Sequence, residues 1–153
     1  SVIWALDGGG LPVRPHLVVS GVNAGQNIGS LVEVSGTVGA ARAAASRGVP
    51  ALAASQGLGE PPDFATGGRY VVEWVTVHRD ALVAGSAPAT VESLNVPTCT
   101  AAAVRGLVNV PVASEDAGRD LLRSDCASTF STPVDDVDAF PAGYVTLSDV
   151  GLG

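Results

Sequence analysis

The 153-residue sequence has no lysine and no methionine, and aromatic residues make up only 5% of it. All eight of its cationic side chains are arginines, set against fifteen carboxylates for a formal charge of −7. A nucleic-acid surface needs a basic face, so this balance argues against nucleic acid as a partner. No apolar run approaches the roughly 18 residues of a membrane span, and no signal-peptide pattern opens the chain. Two cysteines, Cys99 and Cys126, cannot complete a four-ligand metal site by themselves. Their polar surroundings suit either a disulfide in an exported protein or free thiols in a cytosolic one. The first residue is Ser rather than Met, so an N-terminus created by processing, or preceded by further residues, is expected.

What the chain does have is one domain's worth of length and a 46% hydrophobic content, enough for a core built mainly from Val, Leu and Ala. Apolar runs alternate with helical periodicity. Ser1–Leu6 reads as the tail of a helix that stops at Gly8, and Asp7-Gly8-Gly9-Gly10 as its turn, because no strand precedes it as a nucleotide loop requires. Short buried strands are predicted at His16–Ser20, Ala51–Ser55, Val91–Val96 and Val104–Val110, with a closing strand at Gly143–Ser148. Helices are predicted over Ser35–Arg47, stopped by Gly48, and after Asp63, with Phe64, Tyr70, Trp74 and Val75 contributing to an apolar face. Gly67 and Gly68 should weaken that second helix locally. His78, lacking a partner in sequence, reads as a surface or helix-end histidine. Ser114–Pro133 is polar and aperiodic, and a projecting or irregular region is expected there. The alternation predicts an α/β fold, a three-layer sandwich with a mainly parallel sheet.

The stretch Ser20-Gly21-Val22-Asn23-Ala24-Gly25-Gln26-Asn27-Ile28-Gly29 follows an apolar run and leads to Ser35-Gly36-Thr37-Val38, which opens an Ala-rich helix. This order puts a polar, Gly-rich loop (Gly21, Gly25, Asn27) at the carboxyl end of a strand, where open α/β sheets bind ligands. A helix N-terminus presents unpaired N–H groups and a partial positive charge to an oxyanion. Ser35 suits the N-cap, Gly36 permits close approach, and Thr37 adds a hydroxyl donor. These three form the candidate phosphate-binding set. Asn23 offers a carbonyl oxygen of the kind a hard divalent cation accepts beside carboxylates. The competing reading is that Asn23, Asn27 and the glycines only supply left-handed turn geometry.

Both blocks resemble the SurE (survival protein) family of 5'/3'-nucleotidases, which carry Ser-Gly-Ile/Val-Asn-x-Gly-x-Asn-x-Gly and then Ser-Gly-Thr-Val-x-Gly/Ala-Ala. Leu94-Asn95-Val96-Pro97 is similar to the end of the family's Leu-Asn-Val-Asn-Val-Pro strand. Asp135-Asp136-Val137-Asp138-Ala139 with Gly143-Tyr144-Val145-Thr146-Leu147 is similar to its C-terminal stretch. The resemblance covers nearly the whole chain as one Rossmann-like domain. It implies a metal-dependent phosphatase that hydrolyses nucleoside monophosphates, with Mg2+ or Mn2+ as cofactor and Asn23 as a metal ligand. It also implies a cytoplasmic location and a homodimer or homotetramer, with residues from about 114 to 153 as an extension used in oligomer contacts.

The resemblance is incomplete. The family's metal rests on two adjacent aspartates of an Asn-Asp-Asp-Gly motif and a serine, none of which has a counterpart in these residues. Asp135-Asp136 is adjacent but falls in the C-terminal match, where a helix-capping role is expected instead. The family's common Arg after the loop Asn is Ala24 here. The alternative to an enzyme is therefore a non-catalytic SurE-like remnant that holds phosphate or nucleotide without turnover.

Overall fold

The computed structural model describes residues 1–100, 102–116 and 118–153. A single helical turn, α1 (Val2–Trp4), continues as a wider turn over Ala5–Gly9. It is followed by β1 (Val18–Ala24), α2 (Leu31–Val34), α3 (Gly36–Ala45), β2 (Ala51–Gln56) and α4 (Phe64–Val83). The chain then forms β3 (Val91–Val96), β4 (Leu107–Asn109), α5 (Asp136–Ala139) and β5 (Val145–Asp149). The five strands make one sheet in the order β1-β2-β3-β5-β4. β1, β2 and β3 are parallel, β5 runs antiparallel to β3, and β4 is parallel to β5. The result is the expected sandwich with a mainly parallel sheet, and the closing strand lies inside the sheet.

The central strands β2 and β3 are buried on both faces, whereas the edge strands β1 and β4 keep exposed residues. Every residue of β2 is buried, as a central parallel strand between two helical layers should be. On one face the small side chains of Ala41, Ala44 and Ala45 let α3 pack against Ala51, Ala53 and Val91. On the other, Trp74 and Leu82 of α4 cover Leu52, Ala54, Leu94 and Leu147. Asp63 caps α4 by accepting the Thr66 N–H at 3.1 Å. Gly67 proves to be a packing residue: a Cβ there would lie 2.5 Å from Gln56 Oε1, so glycine lets α4 settle onto the end of β2. A third cluster, Ile28, Ala113, Val137 and Phe140, lies beneath the Gly-rich loop.

Several boundaries shift from the sequence expectation. β1 begins later and runs four residues further than Ser20. β4 retains only three residues of the predicted Val104–Val110 strand, starting after Gly106 at φ +99°. Ser114–Pro133 contains no helix or strand among the described residues. Asp7 lies within the N-terminal turn and accepts from Arg47 Nε at 2.7 Å, consistent with a turn rather than a nucleotide loop. Among the described residues, no helix is long and apolar enough to cross a membrane.

Candidate functional site

The site begins with an irregularity in β1. Val18, Val19 and Ser20 pair with Ala51, Leu52 and Ala53, and pairing resumes with Asn23 opposite Ser55 and Ala24 opposite Gln56. Gly21 and Val22 therefore face the single residue Ala54, which is a β-bulge. Gly21 has φ +123°, and a Cβ on it would stand 2.1 Å from the Ala54 carbonyl oxygen. Only glycine fits there. Because side chains alternate along a strand, the extra residue resets which side chains share a face beyond it and brings Asn23 level with Ser55. Gly21 thus belongs to the strand, and the loop proper starts at Gly25 (φ +103°), whose N–H donates to Gln56 O at 2.7 Å.

At the carboxyl ends of β1 and β2 the bulge assembles a cluster of neutral polar groups. Asn23 Oδ1 accepts from Ser55 Oγ at 2.8 Å, Thr37 Oγ1 at 3.0 Å and Asn27 Nδ2 at 3.3 Å. Asn23 Nδ2 donates to Gly25 O at 2.7 Å, and Asn27 Nδ2 also donates to Ser55 Oγ at 2.7 Å. Asn23, Asn27 and Thr37 come together in this cluster. Ser35 and Gly36 play different parts. The Ser35 hydroxyl is occupied as the N-cap of α3, accepting the Val38 N–H at 3.1 Å. Gly36 is exposed, with open space where a Cβ would stand. The cap leaves the Gly36 and Thr37 amides without an intrahelical acceptor, beside the Thr37 hydroxyl. The cluster carries no formal charge, so its electrostatic bias toward an anion comes from the positive end of α3.

The far end of the loop is held by residues from late in the chain. Asp136 is 1% exposed; one carboxylate oxygen accepts the Gly29 N–H at 3.0 Å and the other the Ala113 N–H at 2.8 Å. Burial pushes its carboxyl above the ordinary aspartate value, against the lowering effect of those N–H bonds. Asp116 accepts both the N–H (3.0 Å) and the hydroxyl of Ser30, and the hydroxyl bond, first among its causes, draws its carboxyl below the usual range. Gln26 Nε2 donates to Leu121 O, so Asp116 and Leu121 of the aperiodic segment and Asp136 of α5 brace three residues of the loop, Ser30, Gln26 and Gly29. The adjacent aspartates are divided between roles. Asp135 caps α5 through the Asp138 N–H at 2.8 Å, while Asp136 serves the loop. Cys99 and Cys126 form a disulfide with Cα atoms 5.8 Å apart, tying the segment after β3 to the same covering region. His78 lies on α4, stacked on Trp74 with ring centroids 4.1 Å apart, on the opposite face of the sheet from α3.

Sequence reasoning missed Ser55 and underused Asn95. Both are buried polar residues one position before the ends of core strands, in Ala-Leu-Ala-Ala-Ser-Gln and Val-Glu-Ser-Leu-Asn-Val, and such a residue on a core strand is the available signal. A metal centre does not fit these residues alone. Asn23 Oδ1 already accepts three hydrogen bonds, and the described residues contain no group of three or more His, Cys, Asp or Glu side chains able to hold a cation. Hard cations take several oxygen ligands, carboxylates among them.

The polar cluster lies at the carboxyl ends of parallel strands beside a helix N-terminus, the edge at which open-sheet α/β folds, the class to which this sheet belongs, carry their ligand sites. The profile of the Survival protein SurE family matches residues 1–118. The chain belongs to the SurE family. A 5'-nucleotidase SurE of Sorangium cellulosum is 43% identical over 97 residues, covering 62% of this chain and 36% of that protein. One of Symbiobacterium thermophilum is 30% identical over 156 residues, covering 93% and 59%. The chain thus spans between about a third and three fifths of the length of these relatives. The crystal structure of SurE protein from Aquifex aeolicus superposes with a TM-score of 0.70 at 21% identity, over 99% of this chain and 65% of that one, a likeness of fold.

Proposed function

We propose that these residues form the phosphate-binding part of a 5'/3'-nucleotidase, which hydrolyses nucleoside monophosphates to nucleoside and phosphate. The observation that carries the reading is the convergence of Asn23, Thr37, Asn27 and Ser55 at the N-terminus of α3. The relatives named 5'-nucleotidase SurE supply the reaction class. In this reading the Gly36 and Thr37 amides receive two phosphoryl oxygens, and the Thr37 hydroxyl rotates from Asn23 toward the phosphate. Ser55 and Asn27 keep the Asn23 amide oriented, and the dipole of α3 stabilises the charge that builds on the phosphoryl oxygens.

Mg2+ or Mn2+ is proposed as cofactor, with Asn23 Oδ1 one of its oxygen ligands once the Thr37 hydroxyl has turned from it to the phosphate, and carboxylate ligands supplied from outside the described residues. Such an ion would polarise the phosphoryl group and activate water. A homodimer or homotetramer is proposed from the family resemblance. An extracytoplasmic setting is proposed from the disulfide, which persists in oxidising compartments.

The test is phosphate release from 5'-AMP by the full-length protein, with Mn2+ or Mg2+ and then with EDTA. Metal-dependent release supports the nucleotidase. Tight AMP binding in EDTA without turnover would replace it with a binding protein.

A further inference from the structure

The alignment of Asn27 traces back to a residue one layer deeper, below the groups that form the polar cluster. Asn95, near the end of β3, is 1% exposed. Its Oδ1 accepts the Asn27 N–H at 2.7 Å, and its Nδ2 donates to the Asn27 carbonyl at 3.3 Å. One side chain thus grips both backbone polar atoms of one loop residue. The same Nδ2 donates to Ser93 Oγ at 3.2 Å, two residues back on the same strand face, which fixes the amide plane and the sense of the grip. A primary amide presents an acceptor and a donor side by side without charge at any pH, whereas a carboxyl does so only when protonated. The loop's other anchors hold Gly25, Gln26, Gly29 and Ser30, so among the described residues Asn95 is what holds the Asn27 backbone. From Asn27 the contacts continue outward, through Nδ2 to Ser55 Oγ and Asn23 Oδ1.

We propose that Asn95 is a positioning residue for the candidate site: by clamping the Asn27 backbone it sets the direction in which the Asn27 amide holds Ser55 and Asn23. Its effect on turnover rests on the nucleotidase reading, whereas the clamp stands apart from it. A residue that merely fills the core would act through stability alone. A clamp acts through the donor–acceptor pattern, so its effect changes when that pattern changes in place. In Asn95→Asp the ionised carboxylate still accepts the Asn27 N–H but faces the Asn27 carbonyl with a second acceptor. Protonation restores a donor, and burial brings that protonation toward neutral pH.

Two variants and two readouts test this. In Asn95→Ala, hydrogen exchange at the Asn27 amide should quicken at least tenfold, while the amides of Ala53 and Leu94 in neighbouring strands stay as protected as in the parent. Unchanged Asn27 exchange, or equal loss at all three, overturns the inference. In Asn95→Asp, kcat for 5'-AMP relative to the parent at the same pH should fall at least tenfold between pH 5.5 and pH 8, with KM moving less than threefold. A loss independent of pH that tracks the melting temperature overturns it too. If the parent releases no phosphate, the nucleotidase reading fails by itself. The exchange result then decides the clamp, read with inorganic phosphate affinity, which Asn95→Ala should weaken at least tenfold and which, if unchanged, overturns the positioning role.

Discussion

Replacing Gly21 with alanine puts a methyl carbon 2.1 Å from the Ala54 carbonyl oxygen, on a backbone at φ +123°. Two penalties add. A side-chain-bearing residue in a backbone region reserved for glycine costs about 1–3 kcal/mol. Pressing a methyl group onto the backbone of the paired strand costs about 1–3 kcal/mol more, on the scale of overpacking. The sum, about 2–6 kcal/mol, is a large part of the roughly 5–15 kcal/mol available to a domain. For a chain of this size it corresponds to a fall in melting temperature of roughly 5–20 °C. Gly36 provides the control, because it lies in the same sequence motif but has open space around its Cβ position and starts a helix. Gly36→Ala should be neutral or stabilising by up to about 1 kcal/mol. Urea and thermal unfolding of the two variants, followed by circular dichroism, give the comparison. If Gly21→Ala melted within about 2 °C of the parent, the bulge would not require glycine, and the account of how Asn23 reaches Ser55 would collapse.

Asn23→Ala should lower 5'-AMP hydrolysis by about 100-fold or more, the scale for losing one polar group at a reacting centre, and stability by about 1–2 kcal/mol. Phosphate-release assays and urea titrations on one preparation would show both, and an unchanged rate removes Asn23 from the site. Reducing the Cys99–Cys126 disulfide, which spans 27 positions, should destabilise the protein by about 3.5 kcal/mol on loop entropy. Melting curves with and without dithiothreitol measure that, and coincident curves contradict it. Asp116, whose carboxyl is lowered, stabilises fully above about pH 4 and loses that contribution as pH falls through its folded value. The urea midpoints of parent and Asp116→Asn should therefore differ at pH 7 and converge toward pH 2. Asp136, raised by burial, works in the opposite sense: its contribution declines as pH rises from about 4 through its folded value. Asp136→Ala strips the acceptor from two buried N–H groups and should cost about 2–5 kcal/mol at pH 7 by urea unfolding.

The elements whose signals are local were readable in the sequence. The Ala-rich periodicity of α3, the Ser35 cap, the Asp63 cap and the buried runs of β2 and β3 appear where their spacing put them. β1 was misjudged at its end because Gly21 and Asn23, ordinarily turn residues, sit inside a strand that bulges. Gly67 looked like a weakness because its reason, Gln56 Oε1, lies in another layer. The loop motif marked Asn23, Asn27 and Thr37, but their partners Ser55 and Asn95 stand 28 and 68 residues from Asn27. No local pattern links such positions. Asp135 and Asp136 differ for the same reason, since one satisfies its own helix and the other a glycine far away.

The bond from Gly29 to Asp136 joins residues 107 positions apart, and this separation orders events at the ribosome. The parallel unit of β1, α3, β2, α4 and β3 has its partners within residues 18 to 96, so it can begin to associate while the rest is still being made. The Gly29 amide cannot. At about 5–20 residues per second its acceptor is synthesised roughly 5–20 seconds later. Over that interval the nascent domain holds the three parallel strands and a Gly-rich loop still without its far anchor. The site is therefore finished last, by residues that take no part in its chemistry.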